Sequence, residues 1–489
     1  MAGYIIGIDQ STQGTKVMLF DQQGRLCLRV NKNHAQLIDQ RDYVEHDPEE
    51  IYDNLIELVG QLIQQSGIDP EQVKAVGISN QRETALAWFR SGKPVYNAIV
   101  WQCARGASIC DRIAAAGYAE MIRNHTGLQL SPYFSAAKLA WIMENVPGVI
   151  EKAVQGEVLC GTVDCYLVYR LTHGAQFRTD YSNASRTQLF NISTLRWDQE
   201  ILELFGIPAC CMAEVTDSDG LFGYTDFEGV LPHPVPIHGV MGDSHGALFG
   251  QGCLSRGMMK ATYGTGSSIM MNIGERPSFS ELGLVTSLAW KTHGKVQYVL
   301  EGNINYTGAV ITWLKDDVGL LQSPGESEVL ACAANVQDHT YLVPAFSGLG
   351  APYWRSDVSA AMVGMSRSTG KAEIVKAALE SIAYQITDIV NLMKQEAGID
   401  HLELRVDGGP SRNRWLMQFQ SDILNCTVMV PSTEELSGMG AAYAAGLGCG
   451  LYSDDVFANN RYTSYVASME ESMRNEKYNG WKTAVAKIL

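Results

Sequence analysis

Three apolar runs in this chain end in turns built from glycine and hydroxyl residues: DQSTQGTK at 9–16, TYGTGS at 262–267 and DGGPSRN at 407–413. Runs of this length with β-favouring residues read as strands, and Gly, Ser and Asn close turns. The flanking segments predict strands over Tyr4–Asp9, Val17–Phe20 and Leu26–Val30, then a helix from Pro48 to Gly67 and a strand over Val73–Ser79. The helix carries its own start signal. Pro48 follows Asp47, Glu49 and Glu50 sit at the positive end of the dipole, and Ile51, Leu55, Leu58 and Leu62 share one face.

A similar grammar returns after residue 250. Gly257–Thr262 and Ser268–Asn272 flank the second turn, Glu373–Lys394 has helical period, and Leu402–Val406 runs into the third turn and another helix start. Alternating strands and helices predict an α/β fold. Repetition of a strand–turn–strand opening in both halves predicts a duplicated unit. At 489 residues the chain exceeds one core. We expect two domains, 1–250 and 251–489, meeting in a cleft, because PHPVPIHGV at 232–240 is the nearest approach to a linker.

Composition removes some function classes. Lys plus Arg total 37 against 53 Asp plus Glu, a net charge of −16 that repels nucleic acid and anionic membranes. No apolar run reaches the length of a membrane span; GMGAAYAAGLGCGLY is instead a small-residue helix suited to close packing. The eleven cysteines form no paired CxxC zinc pattern, and the N-terminus lacks the basic region of a signal peptide. These features predict reduced thiols and a cytoplasmic protein.

One glycine/hydroxyl turn is an ordinary hairpin as readily as a phosphate cradle, and none of the three matches the P-loop or dinucleotide fingerprint. Three together favour a nucleotide site, since a triphosphate needs several backbone donors. In GISNQRET, Arg82 and Glu83 follow a strand directly, where an α/β sheet presents ligand contacts. They form either a solvent-exposed ion pair or a donor–acceptor grip on hydroxyl groups. Trp101 and Tyr133 are core aromatics or flat walls for a carbon skeleton. In VMGDSHGALFG, Asp243 stands at another strand end, where a carboxylate can take a proton during phosphoryl transfer. His245 is open between second base, substrate contact and structural histidine.

These residues carry a resemblance. The stretches YVEHDPEEIY, GISNQRET, NAIVWQC, GTVDCYLVYRLT, YGTGSS and VPAFSGLGAPYW resemble the FGGY carbohydrate kinases, and within them most closely the glycerol kinases. YFSAAKLAWIMEN and AMVGMSRSTGKAEIVKAALE are similar to the two family signatures. The resemblance implies a two-domain actin/hexokinase/Hsp70-like (ribonuclease H-like) fold with ATP and Mg²⁺ as cofactors. It implies Asp243 as catalytic base, and Asp9 with Asp243 near the metal. Thr12, Lys16, Gly264 and Thr265 match the phosphate turns, and Gly308, Gly409 and Asn413 the adenosine site. Arg82, Glu83, Trp101 and Tyr133 match polyol contacts. It further implies a homodimer or homotetramer.

The chain departs from that pattern at the acceptor end. Glycerol kinases typically read Asp-Gln-Gln where Asp243, Ser244 and His245 stand, and carry a large aromatic where Ser268 stands. Both serines are smaller, which either opens room for more carbons or is refilled by neighbours. A pocket too large for glycerol leaves polar groups unpaired. We therefore expect a four- to six-carbon polyol or ketose as acceptor, with glycerol as the alternative. The remoter rivals are an ATP-switched scaffold and a sugar-binding pseudokinase.

Overall fold

A computed structural model describes residues 3–355, 357–399 and 403–489. Two large sheets repeat one plan. In the N-terminal half, Tyr4–Gln10, Gly14–Phe20 and Leu26–Asn33 form an antiparallel meander. Val73–Asn80 then runs parallel to Tyr4–Gln10, and Val235–Gly242 runs parallel to Val73–Asn80. In the C-terminal half, Met258–Tyr263, Ser267–Gly274, Lys295–Ile304 and Val285–Thr292 make the antiparallel part. Glu403–Asp407 and Thr427–Pro431 extend it in parallel. The duplicated unit expected from the sequence is therefore present. Leu402, the expected start of one strand, lies outside the described residues.

Local chemistry explains the elements. The helix Pro48–Ser66 starts where the Asp47 carboxylate accepts from the Glu49 N–H, and ends at Gly67 with φ +64°, a left-handed cap that glycine adopts without strain. Ile51, Leu55, Leu58 and Leu62 bury its inner face against the N-terminal sheet. The long helix Lys371–Ala397 covers one face of the C-terminal sheet. There Gly302 permits the close approach: an added Cβ would sit 2.6 Å from Ile389 Cγ2 and force a shift.

The helix Leu436–Gly448 belongs to the C-terminal half by sequence but packs on the N-terminal sheet and on the helix Asp243–Gly250. Glycines make this possible: a Cβ on Gly440 would lie 1.9 Å from the Gly246 carbonyl oxygen. The close packing expected of this segment is observed. All eleven cysteines are free thiols. Among the described residues no helix is long and apolar enough to cross a membrane.

Candidate functional site

The parallel strands of each sheet end at a common edge, and the two edges face one cleft. Tyr4–Gln10 delivers Asp9, Val73–Asn80 leads to Arg82 and Glu83, and Val235–Gly242 leads to Asp243 at the first turn of its helix. From the other side, Met258–Tyr263 and Glu403–Asp407 end in the second and third glycine turns.

Register sets the chemistry around Asp9. Lys16 is its antiparallel partner and Ser79 its parallel one. Lys16 Nζ lies 3.8 Å from Asp9 Oδ2, and Ser79 Oγ donates to Oδ1 at 3.2 Å. Burial nevertheless dominates. It pushes the Asp9 carboxyl up to about 6 against the pull of Lys16, and the charge of Asp243 adds to the rise. Lys16 also donates to Glu435 at 2.8 Å, and Arg29 bonds the other Glu435 oxygen.

Asp9, Lys16, Asp243, Ser244, Lys260 and Asp407 line a cavity of about 470 Å³. A second cavity of about 620 Å³ is lined by Gly264, Thr265, Gly308, Gly409 and Asn413 together with apolar Ile311, Leu379 and Leu416. The two share Gly409 and Arg412. The three residues expected at the adenosine end, Gly308, Gly409 and Asn413, thus meet Gly264 and Thr265 of the second phosphate turn in one pocket, which adjoins the carboxylate end. The third turn is held by Gly408 at φ +92°, where a Cβ would come 2.0 Å from the Tyr263 carbonyl oxygen. Asn413 also caps the helix Arg414–Leu424, its amide oxygen accepting from the Leu416 N–H at 3.0 Å. Thr12 lies beside the first turn, where its hydroxyl accepts from Trp101 Nε1 at 2.9 Å.

Asp243 is half-buried and oriented. Its Oδ1 accepts from the Ser244 N–H at 2.6 Å and lies 3.2 Å from Arg82 Nε. Oδ2 makes no hydrogen bond among the described residues. Trp101 and Tyr133 meet edge-to-face with ring centroids 5.6 Å apart, both partly exposed, as a wall needs to be.

Arg82 and Glu83 correct one expectation: they are neither solvent-exposed nor paired with each other. Arg82 donates to both oxygens of Glu301, while Arg186 Nε donates to Glu83 at 2.6 Å. All four side chains are buried. Burial alone would raise the Glu301 carboxyl, but Arg186 and Arg82 outweigh it and hold it well below the usual range. Glu83 sits at φ +61°, a left-handed conformation rare for such a residue and clustered at functional sites. Ser268 Oγ donates to Glu301 Oε1 at 3.3 Å.

His245 resolves differently from its neighbours. It is fully buried, with Nε2 3.3 Å from Ser287 Oγ. Burial, reinforced by Arg82, lowers its pKa well below the ordinary value and keeps the ring neutral. Its ring has no exposure to solvent, and of the three open roles burial of this kind fits the structural one.

Sequence reading missed Glu301, Lys260 and Asp407. Lys260 is buried and donates to Thr262 Oγ1 at 2.8 Å; Asp407 accepts from Gln251 at 2.6 Å. Lys260 is the lone charge of MMKATY, and Glu301 follows the apolar run YVL in its strand; Asp407 stands at the end of its strand, as the first residue of the third glycine turn. A charge within or closing a strand is the signal that could have found them, since a buried charge requires a partner.

Comparison with known proteins agrees with this geometry. The family model for the N-terminal domain of FGGY carbohydrate kinases matches residues 4–250, and that for the C-terminal domain matches 259–449. The chain is 50% identical to glycerol kinase 1 of Thermotoga maritima over 99% of both chains. It is 44% identical to the glycerol kinase of Caldanaerobacter subterraneus over 100% of this chain and 99% of the other. Among solved structures, Plasmodium falciparum glycerol kinase with ADP superposes at a TM-score of 0.94 with 35% identity, covering 100% and 98% of the two chains. A xylulose kinase from Lactobacillus acidophilus shares the fold at a TM-score of 0.88 and 21% identity, with 99% and 97% coverage. With both domain models matched in order and a two-sheet cleft that brings their strand ends together, the chain belongs to the FGGY family of carbohydrate kinases.

Proposed function

We propose that this kinase transfers the γ-phosphoryl group of ATP to a primary hydroxyl of a four- to six-carbon polyol or ketose, with Asp243 as general base. The observation that carries the base assignment is the split role of its carboxylate. Oδ1 is fixed by Ser244 N–H and Arg82, Oδ2 makes no hydrogen bond among the described residues, and the side chain lines the cavity, where it can accept a hydroxyl proton. Gly308, Gly409 and Asn413 hold the nucleoside end, and Thr12, Lys16, Gly264 and Thr265 meet the phosphates. Trp101 and Tyr133 confine the acceptor skeleton; Arg82 and Glu83 form the polar floor beneath it.

Asp9 and Asp243 suit Mg²⁺. Burial and the charge of Asp243 raise the Asp9 carboxyl, which a divalent cation would relieve. Mg²⁺ is commonly held by one or two carboxylates and keeps waters and phosphates as its other ligands. When bound, the ion neutralises charge on the transferring phosphoryl group. The chain's own contribution is orientation, proton acceptance and exclusion of water from the cleft.

The acceptor length rests on Ser244 and Ser268, both half-buried, where the resemblance places larger side chains. Ser268 is partly exposed and bonds Glu301. A second reading, glycerol itself, is favoured by the activity named for relatives at 44% and 50% identity. Measuring ADP release with Mg-ATP against glycerol, erythritol, pentitols, hexitols and ketoses separates the two. A longer acceptor should exceed glycerol by about a hundredfold in kcat/KM, the scale on which hydrogen-bonding pockets discriminate. Glycerol as the best acceptor would establish the second reading.

A further inference from the structure

A row of side chains crosses the C-terminal sheet at the cleft. Asp407 pairs with Thr262, Thr262 with Ser268, and Ser268 with Asn303, across four neighbouring strands. Directly opposed residues point to the same face and lie within contact distance. Asp407 and Thr262 line the carboxylate cavity, so the row begins at the reacting end. Alternation along Lys295–Ile304 fixes the direction of Asn303. Gly302 faces Ile389 of the long helix, whereas Glu301 reaches Arg82 and Arg186 on the N-terminal side. Asn303 therefore projects beside Glu301 toward the N-terminal domain. It is exposed, and its amide makes no hydrogen bond among the described residues.

We propose that Asn303 is a specificity-determining residue of the acceptor site. Together with Ser268 it forms the polar far wall that hydrogen-bonds a hydroxyl or carbonyl on the acceptor carbons beyond the third. This rests on the carbohydrate-kinase reading and deepens its acceptor assignment. An amide both donates and accepts, which suits polyols and ketoses alike. Arg82, Arg186, Glu83 and Glu301 are already paired with one another, which leaves Asn303 and the acceptor lone pairs of the Ser268 oxygen with capacity to spare.

The test is the ratio of kcat/KM for the best four- to six-carbon acceptor over that for glycerol, in wild type and in Asn303→Ala. The wild-type ratio judges the proposed acceptor; the change in ratio judges Asn303, whichever acceptor wins. We expect the ratio to fall about tenfold or more, through KM. The thermal stabilisation given by the longer acceptor without nucleotide should fall with it. An unchanged ratio, or a loss shared equally by glycerol and the longer acceptor, would overturn the proposal. Asn303→Asp supplies a second variant that keeps an acceptor oxygen. It should restore part of the ratio for an acceptor presenting a hydroxyl, and failure to do so counts against the hydrogen bond.

Discussion

Arg82 grips Glu301 with two parallel hydrogen bonds of 2.9 and 3.1 Å, joining the end of an N-terminal strand to the middle of a C-terminal one. The same guanidinium lies 3.2 Å from Asp243 through Nε. One side chain thus ties the interface between the halves to the orientation of the proposed base, Asp243. Removing one partner of such a buried pair strands the other. Glu301→Gln should cost about 3 kcal/mol in denaturant unfolding and lower kcat at saturating substrate. A variant with wild-type stability would show that water replaces the pair.

Asp243→Asn keeps shape and hydrogen bonding but cannot take a proton. We expect kcat to drop by about 10²–10⁴-fold with little change in the KM for ATP. Retention of more than a tenth of kcat in steady-state assays would remove Asp243 as the base.

The raised Asp9 carboxyl gives a pH signature of stability. Folding holds its proton to about pH 6, whereas the unfolded chain releases it near 3.8. The folded state therefore binds more protons between those values, and stability falls as pH rises through them, by roughly 3 kcal/mol. Asp9→Asn should consequently be more stable than wild type at pH 7.5, with the gap closing towards pH 4, in melts without nucleotide. Lys16 keeps Glu435 as partner in the variant. A gap independent of pH would refute the burial argument.

Gly440→Ala places a methyl against the Gly246 carbonyl and forces the helix Asp243–Gly250 to shift. We expect a loss of about 1–3 kcal/mol and a fall in kcat, because Asp243 begins that helix. Gly60→Ala is the control: Gly60 lies inside a helix with nothing within 4 Å of an added Cβ, and should stabilise by about 0.5–1 kcal/mol.

Ser268→Phe places a ring at the proposed acceptor wall. In the acceptor panel it should shift kcat/KM toward glycerol by about tenfold or more relative to longer substrates. An unchanged ranking would show that Ser268 does not bound the acceptor.

How legible was this in the sequence? Turn chemistry and strand ends located Asp9, Asp243 and the glycine turns, because Gly, Ser and Thr mark sharp reversals after apolar runs. Glu301 and Asn303 left no such mark. Their positions depend on which strand lies beside Ser267–Gly274 and in what register, a long-range pairing that local pattern does not encode. Arg82 and Glu83 looked like mutual partners because they adjoin in sequence; the left-handed backbone at Glu83 turns them toward different arginine and glutamate partners instead. His245 differs from Asp243 only by lying two residues further along the helix, which rotates it away from the cleft and into the core.

The glycine seam between Asp243–Gly250 and Leu436–Gly448 has a consequence for how the chain is made. Ile5, Met18, Phe20 and Met241 share a core with Leu436, Met439 and Tyr443. A ribosome that has released the first 250 residues has produced a sheet with one greasy face still bare. That face waits for nearly two hundred further residues before its cover emerges, so the N-terminal half, expressed alone, should aggregate and be rescued by adding the missing helix in trans.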